Sequence, residues 1–225
     1  MLSYAGRTEN PTPPAIASRV GGFGGVAGLV EFLRAEHIAR VVDATHPFAA
    51  QMSVNAIVAC DIAGVPLLAL ERAPWQRSVG DRWIEVDDVA AAAEAFGPSA
   101  RRVFLGIGRQ HLRAFATYKQ HAYLVRLVDA PRDPLPLPNA KVIVARGPFD
   151  RSGDRAMLEN FRADIVVARN AGGNAAAAKI DASRDLALPV VMIRRPFIPA
   201  REKVETVAEA FRWLGHEQAP AERGV

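Results

Sequence analysis

The side chains of this chain best placed to do chemistry fall in the run V-V-D-A-T-H-P-F-A-A at positions 41–50, where Asp43, Thr45 and His46 lie within four positions. Pro47 follows them. Proline lacks an N–H and fixes φ, so it suits the first position of a helix and drives the residue before it into extended backbone. The run reads as strand, tight polar turn, helix, which sets the three polar groups at the carboxyl edge of a sheet, where open α/β folds bind ligands. Thr45 taken alone reads as a helix cap. Three polar groups in four positions read as a site.

Other clusters recur along the chain. A short strand at residues 2–5 is followed by Gly6, Arg7 and Thr8, with Ser3 on the strand itself. This is the position where a dinucleotide fold meets the adenosine ribose, and an arginine there pairs with a 2′-phosphate; a solvated turn is the equal alternative. Gly21, Gly22, Phe23, Gly24 and Gly25 precede a helix whose apolar face carries Val26, Leu29, Val30 and Leu33. Such a loop lets a phosphate or a flat ring approach the backbone and the free N–H groups of a helix start. Arg72 and Trp75, beside Pro74, suit a large, flat, acidic ligand through ion pairing and stacking, or Trp75 covers the edge of a core. Further clusters are the G-I-G-R turn at 106–109, Arg146 in R-G-P-F, Arg169-Asn170-Ala171-Gly172-Gly173 with Lys179 beyond it, and Arg194-Arg195-Pro196.

The elements that must position these clusters alternate. Strands are expected at residues 37–43, 65–70, 82–86, 102–106, 123–128, 141–145, 163–167 and 189–193. Helices are expected at 47–63, 87–96 with Asp87 as cap, 110–116, 151–161, 175–186 and 205–214. That alternation argues for an α/β protein with parallel sheets covered on both faces. Polar or glycine-rich groups follow strand after strand, while the opposite strand ends carry little chemistry. A break at Gly97-Pro98-Ser99 divides the expected domains into 1–97 and 98–215, with a frayed tail at 216–225.

Composition narrows the function. Half of the 225 residues are apolar, enough for a full core. The one cysteine, Cys60, rules out a disulfide within the chain and reads as inert core, in keeping with a reducing cytoplasm. No run approaches the roughly 20 apolar residues that span a bilayer, and the start has no secretory signal pattern. Net charge is +4, carried by 24 arginines against 4 lysines. Arginine suits carboxylates and phosphates, but the residues are scattered, so nucleic acid is not an expected partner. The five histidines form no ligand-spaced cluster, and no metal is expected. There is no G-x-S-x-G elbow and no G-x-x-x-x-G-K-[ST] loop. His37, His111 and His121 are expected on helix ends or edges.

Taken together the motifs resemble the precorrin-6A reductases of the cobalamin pathway. The likeness is carried by A-G-R-T at 5–8, G-G-F-G-G at 21–25, D-A-T-H-P-F-A at 43–49, E-R-x-P-W at 71–75, R-G-P-F at 146–149, R-N-A-G-G with Lys179, and R-R-P at 194–196. The resemblance implies two Rossmann-like domains with a ligand cleft between them and hydride transfer from NADPH to one double bond of a tetrapyrrole. It implies nucleotide contacts at Ser3, Gly6, Arg7, Thr8, Gly21, Gly22, Phe23, Gly24, Gly25 and Thr45. Asp43 and His46 would border the reacting centre, with His46 supplying a proton and Asp43 orienting it or the substrate. Arg72, Trp75, Arg146, Arg169, Asn170, Gly172, Gly173, Lys179 and Arg194 would hold the substrate. A cytoplasmic monomer without membrane or nucleic-acid partners is expected.

Two departures stand out. The family begins with a further strand, a Gly-Gly-Thr-type turn and a helix that this sequence lacks, and a misplaced start codon is the expected reason. Arg169 and Ala171 stand where the family has Lys and Ser. The competing readings are a non-catalytic tetrapyrrole-binding protein and an unrelated Rossmann-type enzyme acting on a sugar nucleotide. The latter calls for a Tyr-x-x-x-Lys pair, which is absent; Tyr118-Lys119 has the wrong spacing.

Overall fold

A computed structural model describes residues 1–4 and 15–215. Gly6, Arg7, Thr8 and the tail at 216–225 therefore lie outside the described residues. The chain forms two compact units, one made of Met1–Arg72 with the chain from Pro196 onward, the other of Ala73–Arg195.

The larger unit is built on a parallel six-stranded sheet. Its elements are β5 (Arg82–Val86), α3 (Val89–Glu94), β6 (Arg102–Gly106), a 3₁₀ segment (Arg109–Phe115), β7 (Ala122–Leu127), β8 (Ala140–Val144), α4 (Arg151–Phe161), β9 (Ile165–Arg169), α5 (Ala178–Asp185) and β10 (Pro189–Ile193). The strand order is β5-β10-β9-β6-β7-β8. The chain runs outward from β6 to β8, then returns to the other side of β6 as β9. The order reverses between β6 and β9, and in open α/β sheets that switch point is where ligands bind. The central strands are continuous apolar runs, as strands covered on both faces are: Val103, Phe104, Leu105, Val166, Val167 and Val191 are fully buried. Leu158, Phe161 and Ile180 of the helices close one face.

The smaller unit holds β3 (Val41–Asp43), β4 (Leu67–Leu70) and β11 (Lys203–Val204) in the parallel order β11-β4-β3. Helices α1 (Gly25–Ala35) and α2 (Ala50–Ala63) pack together through Leu29, Leu33, Ala56 and Cys60. A separate parallel pair, β1 (Leu2–Tyr4) with β2 (Ser18–Val20), precedes α1, and α6 (Val207–Trp213) ends the described chain. No helix among the described residues is long and apolar enough to cross a membrane.

The α/β class with parallel sheets is as the alternation predicts. The expected break at Gly97 is corrected: β5 pairs with β10 from Arg82 against Pro189 to Val86 against Ile193, so residues 73–97 belong to the larger unit. Conversely, β11 pairs with β4, so the C-terminal segment belongs to the smaller one. The strand expected at 37–43 shortens to Val41–Asp43 because His37, at φ +48°, turns the chain out of α1. The helix expected from Pro47 begins at Ala50, because His46 to Ala49 form a turn in which Ala49 N–H donates to the His46 carbonyl at 2.7 Å. Asp88, not Asp87, caps α3, accepting from Ala91 N–H at 2.8 Å. The helix expected at 110–116 is 3₁₀. His121 lies in the core, fully buried against Phe96, Tyr118 and Tyr123, rather than at an edge.

Candidate functional site

In the smaller unit, the carboxyl end of β3 delivers the turn that the sequence singles out. Asp43 is 7% exposed, and a buried carboxylate needs donors. It has them: Thr45 gives its backbone N–H at 3.1 Å and its hydroxyl at 2.7 Å, and Ser53 of α2 gives its hydroxyl at 2.6 Å. Arg201, from the segment before β11, lies 4.0 Å from the same carboxylate and binds Glu71 at 3.0 Å. Asp43 is thus the anchor of the turn. The exposed polar side chains of the turn are Thr45 and His46. His46 Nδ1 accepts Phe48 N–H at 3.2 Å, which fixes the proton of the neutral ring on Nε2. Ser53 and Arg201 had a weak trace in the sequence, as polar residues beside apolar neighbours, but only the fold shows what they hold.

The glycine loop leads into α1. Gly21, Gly24 and Gly25 have φ of +118°, +79° and +85°, in the region that glycine tolerates. Gly24 stands at the N-cap with no side-chain cap, and the first turn of α1 has no acidic residue. The helix N-terminus therefore keeps donor N–H groups and a positive dipole end, the surroundings that suit a phosphate. A Cβ on Gly21, Gly22, Gly24 or Gly25 would meet nothing within 4 Å, so the space over the loop is open. Phe23 packs below it, with the Arg19 guanidinium 4.0 Å from its ring centroid. Arg19 also donates to Ser3 Oγ at 3.1 Å and to the Gly21 and Gly22 carbonyls at 3.0 Å, tying β1 to the loop. Gly28 completes the arrangement: a Cβ there would stand 1.8 Å from the Phe23 carbonyl oxygen. These residues fit a dinucleotide's phosphates.

In the larger unit the structure gathers residues that the sequence scatters over a hundred positions. Asn170 accepts Trp75 N–H at 2.7 Å and donates to the Trp75 carbonyl at 3.0 Å, while the Trp75 indole N–H donates to the Gly173 carbonyl at 2.8 Å. Trp75 is held as a fixed wall against the core, with both its backbone and its indole nitrogen engaged. Gly172, at φ +69°, touches the Ala73 carbonyl so closely that a Cβ would stand 2.0 Å from it. Arg195 donates to the Asn170 and Ala171 carbonyls at 2.9 and 3.1 Å. Arg169 Nη1 lies 3.3 Å from His111 Nε2. Lys179 is buried with Nζ 4.8 Å from the Trp75 ring centroid. Arg146 pairs with Asp129 at 2.7 Å, and Arg72 is exposed in the smaller unit. Arg194 binds Asp87 through its guanidinium at 2.7 Å, while Arg195 turns to the Asn170 loop, because neighbouring residues of an extended chain face opposite ways.

Comparison with known proteins follows the same lines. The model of the precorrin-6x reductase CbiJ/CobK family matches residues 1–215. This chain belongs to that family. Its relatives include the precorrin-6A reductase of Rhodobacter capsulatus, 52% identical over 225 residues, which span all of this chain and 89% of that protein. The precorrin-6A reductase of Mycobacterium tuberculosis is 42% identical over 214 residues, covering 94% of this chain and 86% of the relative. A solved structure, CobK precorrin-6A reductase, superposes with a TM-score of 0.90 at 53% identity, covering 99% of this chain and 88% of the other. The parallel-sheet architecture is that of the CbiJ/CobK reductases.

Proposed function

We propose that this protein reduces one double bond of precorrin-6A, giving precorrin-6B in cobalamin biosynthesis, with NADPH as reductant. Membership of the CbiJ/CobK family across the described chain carries the reading. The residues of each unit fit its chemistry.

On the smaller unit, the glycine loop and the N-terminus of α1 receive the nucleotide's phosphates, with Ser3 and Arg19 behind them and Thr45 at the edge. The nicotinamide, when bound, supplies a hydride. Arg7, three positions beyond β1 in the sequence, pairs with the 2′-phosphate and selects NADPH over NADH. His46 presents Nε2–H as a fixed donor to the macrocycle, and Asp43 positions that turn through Thr45. Arg146 and Arg169 take carboxylate arms of the substrate, and Arg72 is a third guanidinium suited to one. Trp75, Asn170, Gly172 and Gly173 shape the surface on which those arms lie. Arg194, bound to Asp87, is left out. The single cysteine is buried and its thiol is pushed up to about 11, chiefly by burial and then by Asp43, which suits a reducing cytoplasm.

The test is anaerobic mixing of the protein with precorrin-6A and NADPH. The expected result is loss of the reduced-nicotinamide absorbance that depends on both, together with a product two mass units heavier, the mass of one hydride plus one proton. Binding of NADPH alone, followed by fluorescence, should weaken about tenfold or more in Arg7→Ala, while NADH binding changes little. Failure of the protein to consume NADPH in the presence of substrate overturns the reading.

A further inference from the structure

Reduction of a double bond takes a hydride and a proton. We propose, on the strength of the reductase reading above, that Lys179 is the acid that delivers the proton: its Nζ–H bond breaks, the new bond forms at the substrate atom that does not receive the hydride, and the amine left behind regains a proton from water before the next turnover.

Position comes first. Lys179 lies in the first turn of α5, after the Asn170–Gly173 loop. Its stem crosses Gly106, the last residue of β6, where a Cβ would stand 3.2 Å from Lys179 Cδ. That places the side chain at the switch point between β6 and β9, where an open α/β sheet receives its ligand. A side chain at 106 would crowd that stem by a few tenths of an ångström.

Surroundings come second. The ammonium donates to the Ala176 carbonyl at 2.6 Å and lies over the Trp75 ring. No carboxylate among the described residues forms an ion pair with it. The acid that acts on it, Asp154 of α4, is taken in a two-toothed pair by Arg126 of β7, one arm at 3.2 Å. The charged groups facing Lys179 are thus Arg126, Asp154 and, from β9, Arg169. An ammonium that is buried at 5% exposure and set among guanidinium groups gives up its proton readily. Burial, reinforced by Arg126 and Arg169 and opposed by Asp154, brings it down to about 7, where a general acid serves best at neutral pH. A lysine meant only to hold a carboxylate gains nothing from such a setting.

The experiment has a part that needs no turnover. The sequence has only four lysines, so in protein labelled with ¹³C at lysine Cε each can be followed by its own resonance. One, absent from Lys179→Met, should titrate near neutrality, well below the ordinary lysine value of about 10.4. In kinetics, Lys179→Met should lower kcat about 100- to 10,000-fold, with KM for the macrocycle changed less than about threefold. Wild-type kcat should fall as pH rises through neutrality, since the protonated form is the acid. Lys179→Arg should neither restore kcat nor keep that limb. The proposal is overturned if Lys179 titrates at the ordinary lysine value of about 10.4, if Lys179→Arg restores turnover, or if the loss is in KM alone, as for a carboxylate-binding cation. Should Lys179→Met not fold, the wild-type titration and Lys179→Arg decide. A wild-type protein that consumes no NADPH with precorrin-6A defeats the reductase reading, whatever the titration shows.

Discussion

Replacing Gly172 with alanine tests whether the Asn170–Gly173 loop is held as tightly as its contacts indicate. Two costs arise. At φ +69° an alanine sits in the left-handed region, which costs about 1–2 kcal/mol. Its Cβ would also stand 2.0 Å from the Ala73 carbonyl oxygen and 2.7 Å from Arg195 Nη2. The guanidinium can move, but the carbonyl can yield only if the segment leading to Trp75 shifts, an overpacking cost of about 1–3 kcal/mol. The total, about 2–5 kcal/mol, is a large share of the roughly 5–15 kcal/mol that holds a domain folded. Gly97→Ala is the control. It lies in the same unit at the same φ of +69°, yet a Cβ there meets nothing within 4 Å, so it should show the backbone cost alone. Urea unfolding of both variants, followed by Trp fluorescence, gives the comparison. A deficit in Gly172→Ala no larger than that in Gly97→Ala would refute the clash and with it the rigid loop.

Three further outcomes follow from buried polar groups. Arg126→Met strands Asp154 at 5% side-chain exposure and should cost about 3–5 kcal/mol in urea unfolding, much of it recovered in the double variant Arg126→Met/Asp154→Leu. Ser53→Ala removes the 2.6 Å donor to the buried Asp43 carboxylate and should cost about 1–3 kcal/mol, with a drop in turnover as the Thr45–His46 turn loosens. His121 is held below its ordinary value of 6.5 by burial and, less, by Arg101, so the unfolded chain binds the extra proton first. Its contribution is therefore intact above about pH 6.5 and fades as pH falls below it. Melting temperature should rise between pH 5.5 and 7.5 in the wild type and rise less in His121→Phe, and equal slopes would show that His121 is not responsible.

The sequence made the strands of the larger unit legible where apolar runs are bounded by turn residues. β5, β6, α4 and β10 stand where those signals place them. The division into units was not legible, for a physical reason. R-W-I-E-V at β5 marks a strand, but nothing within it names β10 as its partner, since pairing is settled by long-range contacts and register. β11 spans two residues and carries no periodicity at all. The polar clusters were legible as clusters, and Trp75, Asn170, Gly173 and Lys179 do come together. The division of labour within them was hidden. Asp43 reads as a reactive carboxylate until Ser53 arrives from α2 to occupy it. Arg194 and Arg195 are equivalent on paper, and only the direction of each side chain assigns one to Asp87 and the other to the Asn170 loop.

The contacts of that loop explain why one motif carries so many of the expected residues. Ala73 and Arg195 are the two ends of the larger unit, far apart in sequence, and Gly172 lies against both. Asn170 N–H donates to the Ile193 carbonyl at 2.9 Å, while its side chain grips Trp75 on both sides of the peptide. The loop thus ties the entry and the exit of the unit to the end of β9, and it does so beside Lys179 and Trp75. A side chain added at 172 or an amide lost at 170 must move both ends as well as the surface offered to a ligand. The composition N-A-G-G follows: small residues fit between two converging chain ends, and an amide can satisfy a donor and an acceptor of the same neighbour at once.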